Sequence, residues 1–215
     1  MGGTKRVLAL CAEYAIPHLY FCSTAFTLGR NTYEKSKITC ELMVRKSDIP
    51  RTTIFKPSII MGTEKYPYPG HFSQFIALII KLHKRAELIR RKIEGTLRLP
   101  ILEPVFRIRG NVDGALNMIT VEAVAEAMAE TKKQGVCWLT NPHPPTLGQL
   151  VEWVGEFVMV RIKVLPQFKP TPLEAQFQKM TAAFAPYLQG DSFKSDLKES
   201  QITKEFIHDT IRRSL

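Results

Sequence analysis

Two hydrophobic periods alternate along the first part of the chain. From Lys5 to Glu13, Val7, Leu8, Leu10 and Cys11 recur at helical spacing, with Thr4 placed to cap the helix and Pro17 placed to end it. The run His18 to Thr24 (HLYFCST) is instead short and apolar, and Gly29 bounds it, as in a buried strand of a parallel sheet. Asn31 or Thr32 then caps a helix running through about Lys46, with Ile38, Leu42 and Met43 as its core stripe. After Asp48-Ile49-Pro50, Thr52 to Ile60 (TTIFKPSII) reads as a second buried strand. Helix, strand, helix, strand in this order predicts an α/β fold with right-handed crossovers and a parallel sheet.

The middle is less regular. Gly62 to Gly70 is turn-rich, His71 to Gly95 predicts a helix, and Val105 to Arg109 a short strand. Thr120 caps a helix over Val121 to Thr131, and Gly135 to Thr140 (GVCWLT) forms a compact strand. A helix begins near Thr146, a strand covers Val160 to Pro166, and Pro170 to Leu215 holds two or three short amphipathic helices. Trp138 and Trp153 occupy core positions of their strand and helix. No repeat or Gly/Ser-rich linker marks a boundary.

Composition bounds the function classes. With 215 residues, 45% hydrophobic and 23% charged, the chain is long enough to bury one sizeable core, one domain or one and a half. No apolar run reaches the roughly 18 residues of a membrane-spanning helix, and the start lacks a secretory cleavage pattern, so the sequence reads as cytoplasmic. The four cysteines, Cys11, Cys22, Cys40 and Cys137, lack a CxxC pair and lie among apolar neighbours, which predicts reduced, buried thiols. His18 and Cys22 lie on a strand with no second ligand pair, so no metal site is predicted.

Charge points to an anionic partner. The formal balance is +10, a sign that suits nucleic acid, a membrane surface or a phosphorylated cofactor. Lys81, Lys84, Arg85, Arg90, Arg91 and Lys92 crowd one predicted helix without interleaved aromatics other than His83, which argues against nucleic acid. That helix suits an acidic carrier protein, or is a solvated face whose cationic stems cover apolar surface.

The sharpest chemical constellation is Ser23-Thr24 at a strand end followed by Tyr33-Glu34-Lys35-Ser36-Lys37 at a helix start. Tyr33 and Lys37 are four apart and share a helical face. An ammonium beside a phenol favours the phenolate, and a hydroxyl from Thr24 or Ser23 can hold a carbonyl oxygen near it. Together these groups suit proton transfer during carbonyl and alcohol interconversion.

In these blocks the chain resembles the extended short-chain dehydrogenase/reductase family, in particular its thioester-reductase and fatty acyl reductase-like branch. The matching pieces are Gly3 to Leu8 (GTKRVL), Tyr20 to Ala25 (YFCSTA), Tyr33 to Lys37 (YEKSK), Phe55 to Gly62 (FKPSIIMG) and Asn117 to Ala127 (NMITVEAVAEA), in family order. The resemblance implies a partial Rossmann-like parallel sheet with helices on both faces and a smaller, mainly helical C-terminal region. Residues 1–62 would be the C-terminal half of an NAD(P)-binding domain, and 63–215 a substrate region with elements near 115–140 returning to the first.

By the same resemblance, Tyr33 is the acid/base and Lys37 binds the nicotinamide ribose. Thr24, with Ser23 as substitute, holds the reacting oxygen, and Pro57 and Ser58 line the nicotinamide. The implied activity is NAD(P)H-dependent reduction of a carbonyl or acyl thioester; the alternatives are a non-catalytic interaction domain of the same fold or a nucleotide-sugar epimerase/dehydratase. The family's Gly-x-x-Gly-x-x-Gly turn does not occur in these 215 residues. The expectation is therefore a truncated domain with weak cofactor binding and an apolar strand edge open to homo-oligomerisation. A further departure is that only eight residues separate Thr24 from Tyr33, where relatives have a longer loop.

Overall fold

The computed structural model describes residues 2–68, 70–98, 105–158, 160–199 and 202–214. Its helices are α1 (Gly2–Glu13), α2 (Thr32–Arg45), α3 (Gly70–Leu97), α4 (Val121–Glu130), α5 (Leu147–Val158), α6 (Pro172–Met180) and α7 (Lys204–Ser214). The strands are β1 (His18–Cys22), β2 (Arg51–Pro57), β3 (Ile59–Met61), β4 (Phe106–Arg109), β5 (Met118–Thr120), β6 (Gly135–Leu139) and β7 (Ile162–Leu165). A 3₁₀ stretch covers Ala182–Gln189. The chain forms two units: Met1–Ile60 with Asn117–His143 and Phe193–Ser200, and Met61–Leu116 with Pro144–Ser192 and Gln201–Leu215.

The first unit is built on a parallel sheet ordered β1-β2-β6. Phe21 stands opposite Ile54 and Cys22 opposite Phe55, while Phe55 stands opposite Cys137 and Lys56 opposite Trp138. Because side chains alternate across a strand, Phe55, Cys137 and Leu139 face one way, where Val124, Ala127 and Met128 of α4 pack on them. Ile54 and Lys56 face the other way, toward α2, whose Glu41 pairs with Lys56. Asn31 caps α2, its side chain accepting the Glu34 backbone N–H.

The free edge of β6 is sealed by a strap. Asp196 accepts the Trp138 N–H and the Lys133 ammonium, while the Thr140 hydroxyl donates to the Lys194 carbonyl and Ser195 donates to that of Thr140. Phe193 completes the strap edge-on to Phe26. Burial disfavours a charged Asp196, but the Lys133 and Trp138 hydrogen bonds outweigh it and hold the carboxyl below its ordinary range. Among the described residues, β1 pairs on one side only.

The second unit holds the parallel pair β4-β7, with α3 packed against α6 and α7. Phe177 is its anchor, 2% exposed and edge-on to both Phe75 and Phe106. Glu174 closes a capping box with Thr171 and grips Arg107 through its backbone N–H, Nε and Nη2. Gly190, at φ +87°, has its hydrogen where a Cβ would lie 2.4 Å from the Gly114 Cα, so the two strands of chain touch backbone to backbone.

The α/β fold and the parallel sheet follow the sequence pattern, but several local expectations do not. The apolar stripe predicted for α2 is not its buried face: Leu42 is 50% exposed and Ile38 and Met43 are half-buried, while Glu34, Cys40, Glu41 and Val44 are buried. Glu34, held by the half-buried Arg30 and two backbone amides, and Glu41, held by the buried Lys56, take the face expected for the leucine. The expected strand Thr52 to Ile60 breaks at Ser58, where the chain leaves β6 for the β3-β5 pairing. Cys22 is exposed, whereas Cys11, Cys40 and Cys137 are buried. Trp138 and Trp153 are half-buried, Trp138 because it lies under the Lys56 ammonium and beside Phe193.

Candidate functional site

The C-terminal end of β1 carries the candidate chemistry. Beyond Cys22 the backbone stays beside β2, the Ser23 N–H donating to the Phe55 carbonyl and the Ala25 N–H to that of Pro57, both at 2.8 Å. This extension buries Ser23 and Thr24 at 3% and 5% exposure before the chain turns toward α2.

Lys37 and Tyr33 meet on the first turns of α2, as their spacing requires. The Lys37 ammonium donates to the Cys22 carbonyl at 3.2 Å and lies 5.9 Å from the centre of the Tyr33 ring. Held there, the ammonium sits between the strand end and the phenol. Tyr33 is 53% exposed, and its hydroxyl has no hydrogen bond among the described residues. The phenol is thus presented to solvent while the cation behind it is fixed.

The two hydroxyls differ in commitment. Ser23 Oγ donates to Glu41 Oε1 at 2.6 Å, which turns it toward α2. Thr24 Oγ1 accepts the Phe26 N–H at 3.3 Å and keeps its own proton available. No hydrogen bond joins Thr24 to Tyr33 or Lys37 among the described residues. Pro57 and Ser58 are buried at the end of β2; the Ser58 N–H donates to the Leu139 carbonyl, and its hydroxyl is a buried polar atom without a partner.

Sequence reasoning missed the framework that shapes this end of the sheet. Lys56, 6% exposed, lies 3.2 Å from Glu41 Oε1 and donates to Thr27 Oγ1 at 2.8 Å, with its ammonium 4.7 Å over the Trp138 ring. Ser23 and Thr27, on either side of Thr24, are therefore tied to one buried ion pair. Glu34, wholly buried, accepts the Leu28 and Arg30 N–H groups and pairs with the Arg30 guanidinium at 2.9 Å. Burial opposes its charge, yet the Arg30 hydrogen bonds win and hold its carboxyl below the ordinary range. The short loop from Thr24 to Tyr33 is pinned at both ends by glutamates of α2. A lone lysine inside the apolar run TTIFKPSII was the available signal, since a strand lysine buried on its face requires a buried acid.

The residues Lys81 to Lys92 stand in the second unit, on α3. That unit also has an open depression of about 630 Å³ lined by Arg109, Pro166, Gln167 and Phe168. It holds none of the residues at the β1 end. Among the described residues no group of three or more His, Cys, Asp or Glu side chains is placed to hold a metal ion, and no helix is long and apolar enough to cross a membrane.

No protein-family model matches the sequence, and no curated protein matches it. Solved structures do. UDP-N-acetylglucosamine 4-epimerase from Methanobrevibacter ruminantium M1, in complex with UDP-N-acetylmuramic acid, superposes with a TM-score of 0.60 at 16% identity, over 99% of this chain and 67% of that one. RMD from Pseudomonas aeruginosa, complexed with NADPH, gives 0.55 at 11% identity, over 100% and 71%. dTDP-glucose 4,6-dehydratase from Bacillus anthracis, in complex with NAD, gives 0.56 at 14%, over 98% and 65%. At these identities the likeness shows the fold: a mixed α/β, Rossmann-like arrangement of short parallel sheets flanked by helices.

Proposed function

We propose that the chain is part of an NAD(P)-dependent oxidoreductase of the extended short-chain dehydrogenase/reductase type that interconverts a carbonyl and an alcohol. In the finer reading it is a reductase of a carbonyl or acyl thioester. The observation that carries the reading is the Tyr33-Lys37 pair at the C-terminal end of a parallel strand, the place where α/β folds bind ligands. The structural neighbours complexed with NAD or NADPH add support.

The residues at this end fit the nicotinamide part of such a cofactor. The Ser58 hydroxyl is an unpartnered buried polar atom beside Pro57, and the Lys37 ammonium and Tyr33 phenol are available to ribose hydroxyls. Within these residues nothing corresponds to the glycine-rich turn that holds a pyrophosphate, so affinity for the whole dinucleotide is expected to be weak. A bound nicotinamide supplies or accepts the hydride. The protein's part is the proton: Tyr33 Oη gives it to, or takes it from, the substrate oxygen, and the fixed Lys37 ammonium stabilises the phenolate left behind. Thr24 Oγ1, with a free proton, donates to the same oxygen and orients it. Ser23 does not share this role while Glu41 holds it.

A nucleotide-sugar epimerase or dehydratase is the second reading, favoured by the UDP- and dTDP-sugar enzymes among the neighbours. Both readings use the same proton relay. The test is fluorescence titration with NADPH and NADH, followed by NADPH oxidation with a panel of aldehydes and acyl thioesters. Tyr33→Phe is expected to abolish turnover, since the proton donor is removed, and to weaken cofactor affinity by no more than one lost ribose hydrogen bond, about ten-fold at most. Full turnover in Tyr33→Phe refutes the assignment. Binding of neither nucleotide would favour a non-catalytic interaction domain instead.

A further inference from the structure

Among the described residues, the distal half of α3 buries none of its side chains. Up to Leu82 the helix is anchored, with Phe72, Ile76, Ile79, Ile80 and Leu82 buried. From His83 to Leu97 no residue is buried. Four large apolar side chains stand in solvent there: Leu88 at 68% exposure, Ile89 at 54%, Ile93 at 41% and Leu97 at 59%. Ile89, Ile93 and Leu97 are spaced by four and form one stripe. A helix of about this length is marginal in water without a face to pack.

The charges around the stripe choose its cover. Residues 81–98 hold seven lysines and arginines against two acids, Glu87 and Glu94. Both acids are bound to Arg90, at 2.9 Å each. Arg91 also reaches Glu87, at 4.0 Å, on the face opposite the stripe, while Arg85 and Lys92 are exposed and border it. A second copy would bring the same positive segment against itself, and nucleic acid gives the isoleucines no role. A protein partner would need a groove cut to this stripe and acids placed to meet its flanking cations. A lipid interface fills around any contour, takes the apolar side chains below the headgroups, and lets long cationic stems reach the phosphates.

We propose that α3 from His83 to Leu97 is a peripheral membrane-docking helix, with Ile89, Ile93 and Leu97 entering the headgroup boundary and Arg85 and Lys92 binding anionic lipid headgroups. The surface lies in the second unit and does not depend on the catalytic reading, so either can fail alone.

The experiment is co-sedimentation of the full chain with phosphatidylcholine vesicles, with and without about one-third phosphatidylserine. Binding is expected only to the anionic vesicles, and it should fall steeply as salt rises and the Debye length shrinks. Arg85→Glu/Lys92→Glu should weaken the vesicle partition coefficient at least about 25-fold, each cation near such a surface being worth about five-fold. Ile89→Ser/Ile93→Ser should also weaken it, even at low salt where the charges still act. Both pairs are solvent-exposed, so far-ultraviolet circular dichroism should show a folded protein in each case.

Failure to bind anionic vesicles, or binding that neither variant weakens, overturns the proposal. Association with polyglutamate or an acidic carrier protein without vesicle binding overturns it in favour of a protein partner. A dimer in sedimentation velocity that Ile89→Ser/Ile93→Ser dissolves, again without vesicle binding, overturns it in favour of a second copy.

Discussion

Replacing Glu41 by glutamine removes the negative charge of a buried ion pair and leaves its shape. Lys56 is then a cation at 8% side-chain exposure with no counter-ion, since Thr27 offers only a hydroxyl and Trp138 only a ring face. Breaking a buried pair from one side destabilises by roughly 3–5 kcal/mol. The amide oxygen of glutamine can still accept from Ser23, and the indole face keeps a cation–π attraction of about 2 kcal/mol for a desolvated cation. The low end, about 3 kcal/mol, is therefore expected, a shift of about 100-fold in the unfolding equilibrium of the first unit.

The assay follows from the placement of the two tryptophans, one in each unit. With Trp153→Phe as background, urea unfolding followed by Trp138 fluorescence reports on the first unit, because Lys56 lies over that ring. Adding Lys56→Met to Glu41→Gln removes the stranded charge and should restore at least half of the loss, since a buried pair replaced by apolar and neutral groups is close to balanced. Glu41→Gln within about 0.5 kcal/mol of the parent, or a double variant no more stable than the single one, would refute the claim that this pair anchors the strand end.

Other outcomes follow from the packing. Phe177→Ala, which removes a ring wedged between Phe75 and Phe106, should destabilise the second unit by about 3–5 kcal/mol, read by Trp153 fluorescence with Trp138→Phe as background. Glu34, Glu174 and Asp196 all have carboxyls held below their ordinary ranges, so each contributes stability that is present above its unfolded value and lost as pH falls through its folded one. The melting temperature should thus hold steady at neutral pH and begin to fall near the ordinary values of 4.5 and 3.8, continuing below them; a flat profile to pH 3 would contradict these hydrogen bonds. A thiol-reactive disulfide reagent should modify Cys22 in the native protein and reach Cys11, Cys40 and Cys137 only on unfolding. Four equal rates would show that the three are not enclosed.

The sequence was most legible where one residue type has one structural use. Thr120 was readable as a cap, and Asn31 takes the place left open between it and Thr32, because their side chains satisfy helix N–H groups that nothing else reaches; Thr4, expected to cap the first helix, instead lies inside α1 and donates to Cys40 Sγ. Tyr33 and Lys37 could be placed on one face because helix geometry leaves no other option. The α2 core stripe was misread because a hydrophobic pattern assigns burial by residue type, and Glu34 and Glu41 are buried by partners 4 and 15 positions away along the chain. Ser23 and Thr24 are adjacent and chemically alike, so nothing local distinguishes the hydroxyl that Glu41 captures from the one that stays free. That distinction arises only once α2 docks on β2.

The interleaving of the two units bears on how the protein is made. The chain passes between them five times, and the strap that closes β6 is reached only after residues 144–192 have been laid into the other unit. Trp138 waits 58 positions for Asp196, and Lys133 waits 63. A ribosome adding about 5–20 residues per second would therefore hold an unfinished sheet, its β6 edge still bare, for several seconds after that strand emerges. Such an edge is a template for mispairing, so nascent chains should depend on chaperone cover until the strap is out. No single proteolytic cut can release either unit as a continuous piece, and an expression fragment ending before residue 193 would lack that edge seal.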